Sequence, residues 1–297
     1  MKKILFLSAI LIIGLANSQH RFLEIPKLSE ADLKSQKSEK YADAPAEVLY
    51  RSTHFNIDNK GHMFQKVVSR VKIYNREKAV DYLDHEIVLY DDKKGSVETL
   101  TDLKAHTYNY EDGNIVATKV AKDEKYRSKE DRHYNVTKFA FPNVKNGSVV
   151  EYSYQIMTPF LVSTPKIMIE EEIPVRYSEF ILDYPTVLSY NINYRGNLMP
   201  THRTVEEKRL YGDSYKTYRF GYENITPYIN EKYVLNNQNY KTGIKAELNA
   251  AMTDNSVRSF AGSWLDIRKR LYDHQAFGQE LKKLNLVKGV LHRIFHP

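Results

Sequence analysis

Residues 138–156, KFAFPNVKNGSVVEYSYQI, decide how this chain is read. Two apolar-alternating runs flank Asn146-Gly147, a pair that tolerates the positive φ of a tight type I′ turn. In the second run Val150, Tyr152, Tyr154 and Ile156 share one face, while Val149, Glu151, Ser153 and Gln155 take the other. In the first, Phe139 and Phe141 point the same way before Pro142 ends regular pairing. A period of two with one aromatic face predicts an antiparallel hairpin packed on a core.

The same alternation extends in both directions. Upstream, AEVLYRSTHFNI (46–57) reads as a strand, residues 58–61 as a turn, and MFQKVVSRVKIY (63–74) as its hairpin partner, with Val67, Val71 and Ile73 on one face. Residues 76–84 suit a helical turn and 85–90 a strand. Asp112-Gly113, between residues 99–110 and 115–120, is a second tight-turn signal. Residues 122–132, KDEKYRSKEDR, read as a solvated loop. Downstream, residues 166–173, 178–184, 189–194 and 215–222 continue the pattern. So many short strands with close turn signals predict a mainly β chain, an antiparallel β-sandwich-like domain over 46–225. No helix alternates with the strands, which argues against a doubly wound parallel sheet.

Outside that module the character changes. Residues 19–45 read as a polar tether, with a short helix capped by Ser29 and supported by Asp32. Residues 226–297 read as a linker, including one strand or short helix at 243–248, followed by a short helical C-terminal segment. There Ser263 and Asp266 form a capping box, and Trp264, Ile267 and Leu271 follow at helical spacing. A second helix from about Gln279 would carry Leu281, Leu284, Val287, Leu291 and Ile294.

The first 18 residues combine Lys2 and Lys3, an apolar run from Ile4 to Leu15, and the small-residue site Ala16-Asn17-Ser18. That is the pattern of a cleaved signal peptide, and the run is shorter than the ~20 residues that span a bilayer. The expected localisation is exported: periplasmic, outer-membrane-associated or secreted. No later run is apolar and long enough to span. The formal charge is +7, or +5 once Lys2 and Lys3 are removed. With acids interspersed and no basic block, the composition argues against nucleic acid as a partner. The chain has no cysteine, which excludes both disulfides and a thiol nucleophile.

The search for chemistry yields no catalytic, cofactor-binding or metal-binding residue. Of ten histidines only His292 and His296 have i,i+4 ligand spacing, with no Glu between them. Glu170-Glu171-Glu172 reads as an acid cluster or, more simply, the charged end of a strand. Residues 91–95, DDKKG, lack the ligand periodicity of a calcium loop. No nucleophile elbow, Walker loop or dinucleotide fingerprint occurs, and Gly262-Ser263-Trp264 reads as a helix start. The 23 tyrosines suit stacking on sugars or peptides, although their spacing favours core positions. The candidate ligand surface is Lys216, Tyr218, Arg219, Phe220 and Tyr222. Asn135, Asn146 and Asn224 each begin a glycosylation acceptor triplet.

Several motifs together resemble a known family. They are Phe141-Pro142-Asn143-Val144, Gly147-Ser148, Glu151-Tyr152 with Tyr154, Ile173-Pro174-Val175 and Tyr177-Ser178-Glu179. Ala44-Pro45-Ala46-Glu47, residues 112–116, Glu231 with Tyr233, residues 240–248 and residues 263–267 fit as well. This pattern, over about residues 40–285, resembles the β-rich domain of unknown function that precedes a transglutaminase-like domain in exported bacterial proteins. The resemblance implies a sandwich-like module of unassigned activity, followed by a domain with a Cys–His–Asp triad. With no cysteine here, no catalytic residue carries over, and residues 286–297 fit the family poorly, as for a truncated chain.

The leading expectation is therefore a non-catalytic exported module that presents substrate to, or braces, a transglutaminase-like or peptidase-like domain. A stand-alone glycan- or peptide-binding module is the first alternative. A cryptic Asp/Glu/His hydrolase is the second.

Overall fold

A computed structural model describes residues 26–129, 132–210, 212–253, 256–260, 263–275 and 277–279. The expected signal peptide, His20, most of the second C-terminal helix, His292 and His296 lie outside these residues. In chain order the elements begin with helix α1 (Glu30–Lys34) and strands β1 (Ala46–Ile57) and β2 (Met63–Ile73). A 3₁₀ turn (Val80–Tyr82) leads to β3 (Asp84–Tyr90), β4 (Thr99–Glu111) and β5 (Asn114–Lys119). Then come β6 (Lys125–Lys129), β7 (Tyr134–Ala140), β8 (Val149–Thr158), β9 (Ile167–Met168) and β10 (Val175–Pro185). The last are β11 (Leu188–Arg195), β12 (His202–Leu210), β13 (Asp213–Ile225), β14 (Gly243–Thr253), β15 (Ser256–Ser259) and helix α2 (Trp264–Asp273).

The strands build an eight-stranded sheet in the order β12-β13-β10-β1-β2-β8-β4-β5 and two smaller sheets. One is β11-β14-β15 with β9 on β14; the other is β3-β7-β6. One continuous apolar interior joins all three. It takes Phe55, Phe180, Leu182 and Phe220 from the large sheet, Ile87 and Phe139 from one small sheet, and Tyr190, Ile244 and Ala246 from the other. The chain is mainly β, with the large sheet forming one layer and the two small sheets packed on it.

The strand at the middle of the large sheet, β1, pairs antiparallel with β2 and parallel with β10. This parallel pair departs from the all-antiparallel expectation. Its physical basis is burial on both faces, the usual condition of parallel strands: every residue of β10 except Arg176 is buried. Inside, the Phe55 and Phe180 rings lie 5.6 Å apart and Phe180 and Phe220 6.3 Å apart. Full burial of each such ring contributes about 1.5–3 kcal/mol.

The hairpin expected over 138–156 does not form. β7 pairs with β3 and β6, whereas β8 pairs with β2 and β4. The two apolar faces are real, but they meet across the layers: Phe139 and Phe141 each lie 6.4 Å from Tyr152. Gly147 has φ +92° while Asn146 stays at negative φ, and Ser148 N donates to Lys145 O at 3.1 Å. That is the geometry of a type II turn, not type I′. Asp112 (φ +48°) and Gly113 (φ +81°) do form the two-residue hairpin that their sequence predicts.

Three further boundaries change. Residues 26–45 are docked rather than loose. Ser29 caps α1, Leu33 is buried with Leu49 and Val149, and the buried Lys72 ammonium donates to Leu33 O and Gly147 O at 2.8 and 2.5 Å. Burial pushes that ammonium down to about 8, although Asp32 opposes the shift. Within the presumed loop 122–132, residues 125–129 pair with β7. Within the presumed linker, β14 pairs with β11 and inserts Ile244, Ala246 and Leu248 into the core. α2 begins at the predicted capping box of Ser263 and Asp266. No helix among the described residues is long and apolar enough to cross a membrane.

Because β1 bridges β10 and β2 and β14 completes the core, a polypeptide restricted to residues 63–225, which lacks both β1 and β14, is expected to show no cooperative thermal transition. One spanning 26–260 is expected to melt cooperatively. Circular dichroism melts of the two distinguish these outcomes, and a cooperative melt of the shorter piece contradicts this account.

Candidate functional site

The parallel register sets Ser52 beside Glu179 and Asn56 beside Asp183, so polar groups of β1 and β10 share the face opposite the core. Two buried carboxylates organise it. Asp183 Oδ2 lies 2.6 Å from His54 Nε2, Thr217 Oγ1 donates to Asp183 Oδ1, and Lys208 Nζ stands 3.3 Å from the same oxygen. Burial alone would raise the Asp183 pKa. The hydrogen bonds from His54 and Thr217, with the Lys208 charge, outweigh it and hold the carboxyl down to about 2.

Glu179 is held differently. Tyr50 and Tyr177 donate their hydroxyls to its two oxygens at 2.9 and 3.1 Å, and their rings stack 5.7 Å apart at 11°. Burial, reinforced by the Glu179 charge, pushes both phenols well above the usual tyrosine range. Gly221 sits opposite Glu179 on β13; a Cβ there would lie 2.9 Å from the Tyr177 hydroxyl, so a side chain would displace that ring.

The acid run 170–172 has a defined task. Glu171 pairs with Arg51, which also donates to Ser178 Oγ, Met168 O and Ile169 O at 3.3, 3.0 and 2.9 Å. Glu170 accepts from Thr242 N, and Glu172 from Asn230 and Lys241. The run clamps β1 and the segment before β14 to the loop before β10.

Chemically, His54 is partly exposed and oriented by a carboxylate, which is the geometry of a base and its orienter. Acyl transfer also needs a nucleophile. The neighbouring hydroxyl, Thr217, donates to the same carboxylate. Glu179 is four residues from Asp183 along the strand, roughly 13 Å at ~3.3 Å per residue, so the two carboxylates do not converge. Among the described residues no group of three His, Asp or Glu side chains could hold a metal ion.

The sequence-derived ligand surface is corrected. β13 lies between β12 and β10 and is no edge. Tyr218, Phe220 and Tyr222 do share a face, but it is the inward one: Phe220 is 0% and Tyr222 2% exposed, and half-buried Tyr218 stacks on Tyr184 at 6.1 Å. Lys216 Nζ lies 5.5 Å above the Tyr218 ring, while half-buried Arg219 occupies the opposite face beside Ile181. Asn146 and Gly147 serve the turn: Asn146 Oδ1 accepts from Arg76 N at 2.8 Å, and Gly147 N donates to Ile73 O at 2.8 Å. Sequence reasoning missed His54, Asp183, Glu179, Tyr50 and Tyr177. The available signal was two acids inside the otherwise apolar run SEFILDY.

Comparison with known proteins agrees with this architecture. Residues 68–229 match DUF3857, a domain of unknown function with a solved structure, and the chain belongs to that family. No curated protein matches. Among solved structures, a “putative protease” from Parabacteroides distasonis is similar over 81% of this chain, with a TM-score of 0.61 and 16% identity. The chain spans 45% of that protein. A mutant two-domain M1 zinc metallopeptidase bound to L-tryptophan is similar over 76% of this chain and 50% of its own, at 9% identity and a TM-score of 0.28. The fold is thus shared with the former. β1 and β14 lie outside the family match, although both belong to the same core.

Replacing Asp183 by Asn leaves His54 and Lys208 facing a neutral amide in a buried position, with an expected cost of about 2–4 kcal/mol. The carboxyl titrates near 2 when folded and near 3.9 when unfolded, so the unfolded chain binds more protons between those values. Its stabilisation is complete above about pH 4 and is lost as pH falls through about 2. Asp183→Asn should flatten stability against pH in that window, as read from urea melts.

Proposed function

We propose that this protein is an exported, non-catalytic accessory module that braces, or presents substrate to, a transglutaminase-like or peptidase-like domain. The observation that carries this reading is the surface of α2. Trp264, Leu265 and Leu271 are 85%, 69% and 48% exposed, Tyr272 is about half exposed, and so is Phe277 just beyond the helix. Such a run of large apolar side chains on a capped helix suits a packing partner. The helix follows directly after the β core, where a further domain would attach. The structure that shares the fold, described as a “putative protease”, has more than half of its length beyond the part similar to this chain. The charged face supports a non-catalytic role as well, since its carboxylates are committed to tyrosine, histidine, threonine and lysine partners. Burial of Phe220 and Tyr222 weighs against the stand-alone glycan- or peptide-binding reading.

Oxidative footprinting with intact-mass analysis tests the proposal on endogenous protein from the exported fraction. The expected result is protection of residues 264–272 relative to the 297-residue chain alone. A mass well above 34.7 kDa, or a stable complex with a separate thiol-bearing domain, should accompany it. A lone protein slightly below that mass, with Trp264 as readily oxidised as in the isolated chain, contradicts it.

A further inference from the structure

The margin between β6 and the start of β4 is open, and its chemistry is mixed in a specific way. β6 is the outer strand of its sheet, and its register sets Lys125 beside Phe139 and Arg127 beside Thr137, with Lys129 beside Asn135. Phe139 and Thr137 are buried toward the large sheet, so Lys125, Arg127 and Lys129 lie on that same face of the edge strand, Lys125 half-buried and Arg127 and Lys129 exposed. Opposite them β4 slips register between Thr101 and Lys104, with Asp102 at φ +54°. This irregularity leaves two adjoining clefts of about 470 and 370 Å³ that share Leu100, Arg127 and Thr137.

Leu89, Val97, Leu100 and Leu103 supply an apolar strip of the cleft wall, Thr99, Thr101 and Thr137 lie beside it, and the rim is cationic. Four cations (Lys122, Lys125, Arg127 and Lys129) line the clefts against two acids, Glu98 and Asp102. Glu98 is engaged by the Tyr90 backbone amide at 2.9 Å. Lys125 Nζ donates to Leu103 O at 3.1 Å, and no ion pair among the described residues engages any of the four cations. Burial, then Lys119, Arg127 and Lys122, press the Lys125 ammonium below its ordinary range. One inward lysine on an outer strand is enough to deter pairing with another chain. Three cations on one face of the strand, two of them reaching solvent, exceed that need. Clefts of this size suit a small molecule.

We propose that this margin binds a small anionic amphiphile, a phosphate or carboxylate head joined to an aliphatic chain. The head would sit among Lys122, Lys125 and Arg127, and the chain would lie against Val97, Leu100 and Leu103. The proposal is independent of the accessory role proposed above, because it uses neither α2 nor a second domain.

Calorimetric titration of the full chain with dodecyl phosphate below its micellar concentration tests the site, with dodecyl maltoside and inorganic phosphate as comparisons. Dodecyl phosphate should bind at least about tenfold more tightly than either comparison. The Lys125→Gln/Arg127→Gln double variant, with an unchanged melting temperature, should weaken it by about tenfold or more. Arg127→Gln alone, at an exposed position, gives the same test should the double variant melt early. Equal binding of dodecyl maltoside would mean unselective apolar adsorption, and equal binding of inorganic phosphate an ion-only contact. Unchanged affinity in the variants would place binding elsewhere. Any of these three results overturns the proposal.

Discussion

The parallel pairing of β1 with β10 is the constraint on which the rest of the structure depends. It joins residues 48–56 to residues 175–183 across more than a hundred intervening residues. The two strands then serve both faces of the large sheet. Toward the interior they contribute Phe55, Phe180 and Leu182, around which the small sheets pack. Toward the other face the same register delivers Tyr50 to Glu179 and His54 to Asp183. A slip of one residue would exchange the faces, placing two carboxylates in the aromatic interior and phenylalanines beside histidine and lysine. The charged pairs therefore reinforce the register that the apolar side chains demand. Breaking such a buried pair by removing one partner leaves an uncompensated group, a larger cost than the pair's net contribution.

Much of the fold was legible in the sequence because alternation reports which side chains share a face. β1, β2, β10, β11 and β13 lie where the alternation placed them, and Ser263 with Asp266 opens α2 as a capping box. Asp112-Gly113 turns as its residues require, since both adopt positive φ. Alternation does not report the neighbouring strand, however. Residues 138–156 show this well: the aromatic faces of β7 and β8 were read correctly, but they oppose each other across the layers rather than lying side by side. An Asn-Gly pair fits a type II turn as readily as type I′, because only Gly147 must take positive φ. The docked segment around α1 was hidden for a related reason. Its polar composition suggests solvent, whereas Lys72, Arg70 and Arg176 reach it from the sheet through Leu33 O, Pro26 O and Asp32.

The candidate site was less legible. Tyr218, Phe220 and Tyr222 satisfy the periodicity of a ligand platform and of a core face equally, and burial alone separates the two. The acids of SEFILDY stand out only against the apolar run around them, and their partners His54 and Tyr50 lie 129 residues away in sequence. Family membership does not supply the missing link. The matched residues, 68–229, include Glu179 and Asp183 but neither Tyr50 nor His54. The domain as a physical object is larger than the matched span, since a sheet without β1 falls into two halves.

Hydrogen exchange followed by mass spectrometry tests the central role of the β1–β10 pair most directly. The account predicts that amides of residues 51–56 and 178–183 rank among the slowest to exchange. They should be released in the same cooperative opening as those of β2 and β13. Exchange of β10, β12 and β13 as a separate, earlier unit, with β1 and β2 still protected, would contradict it.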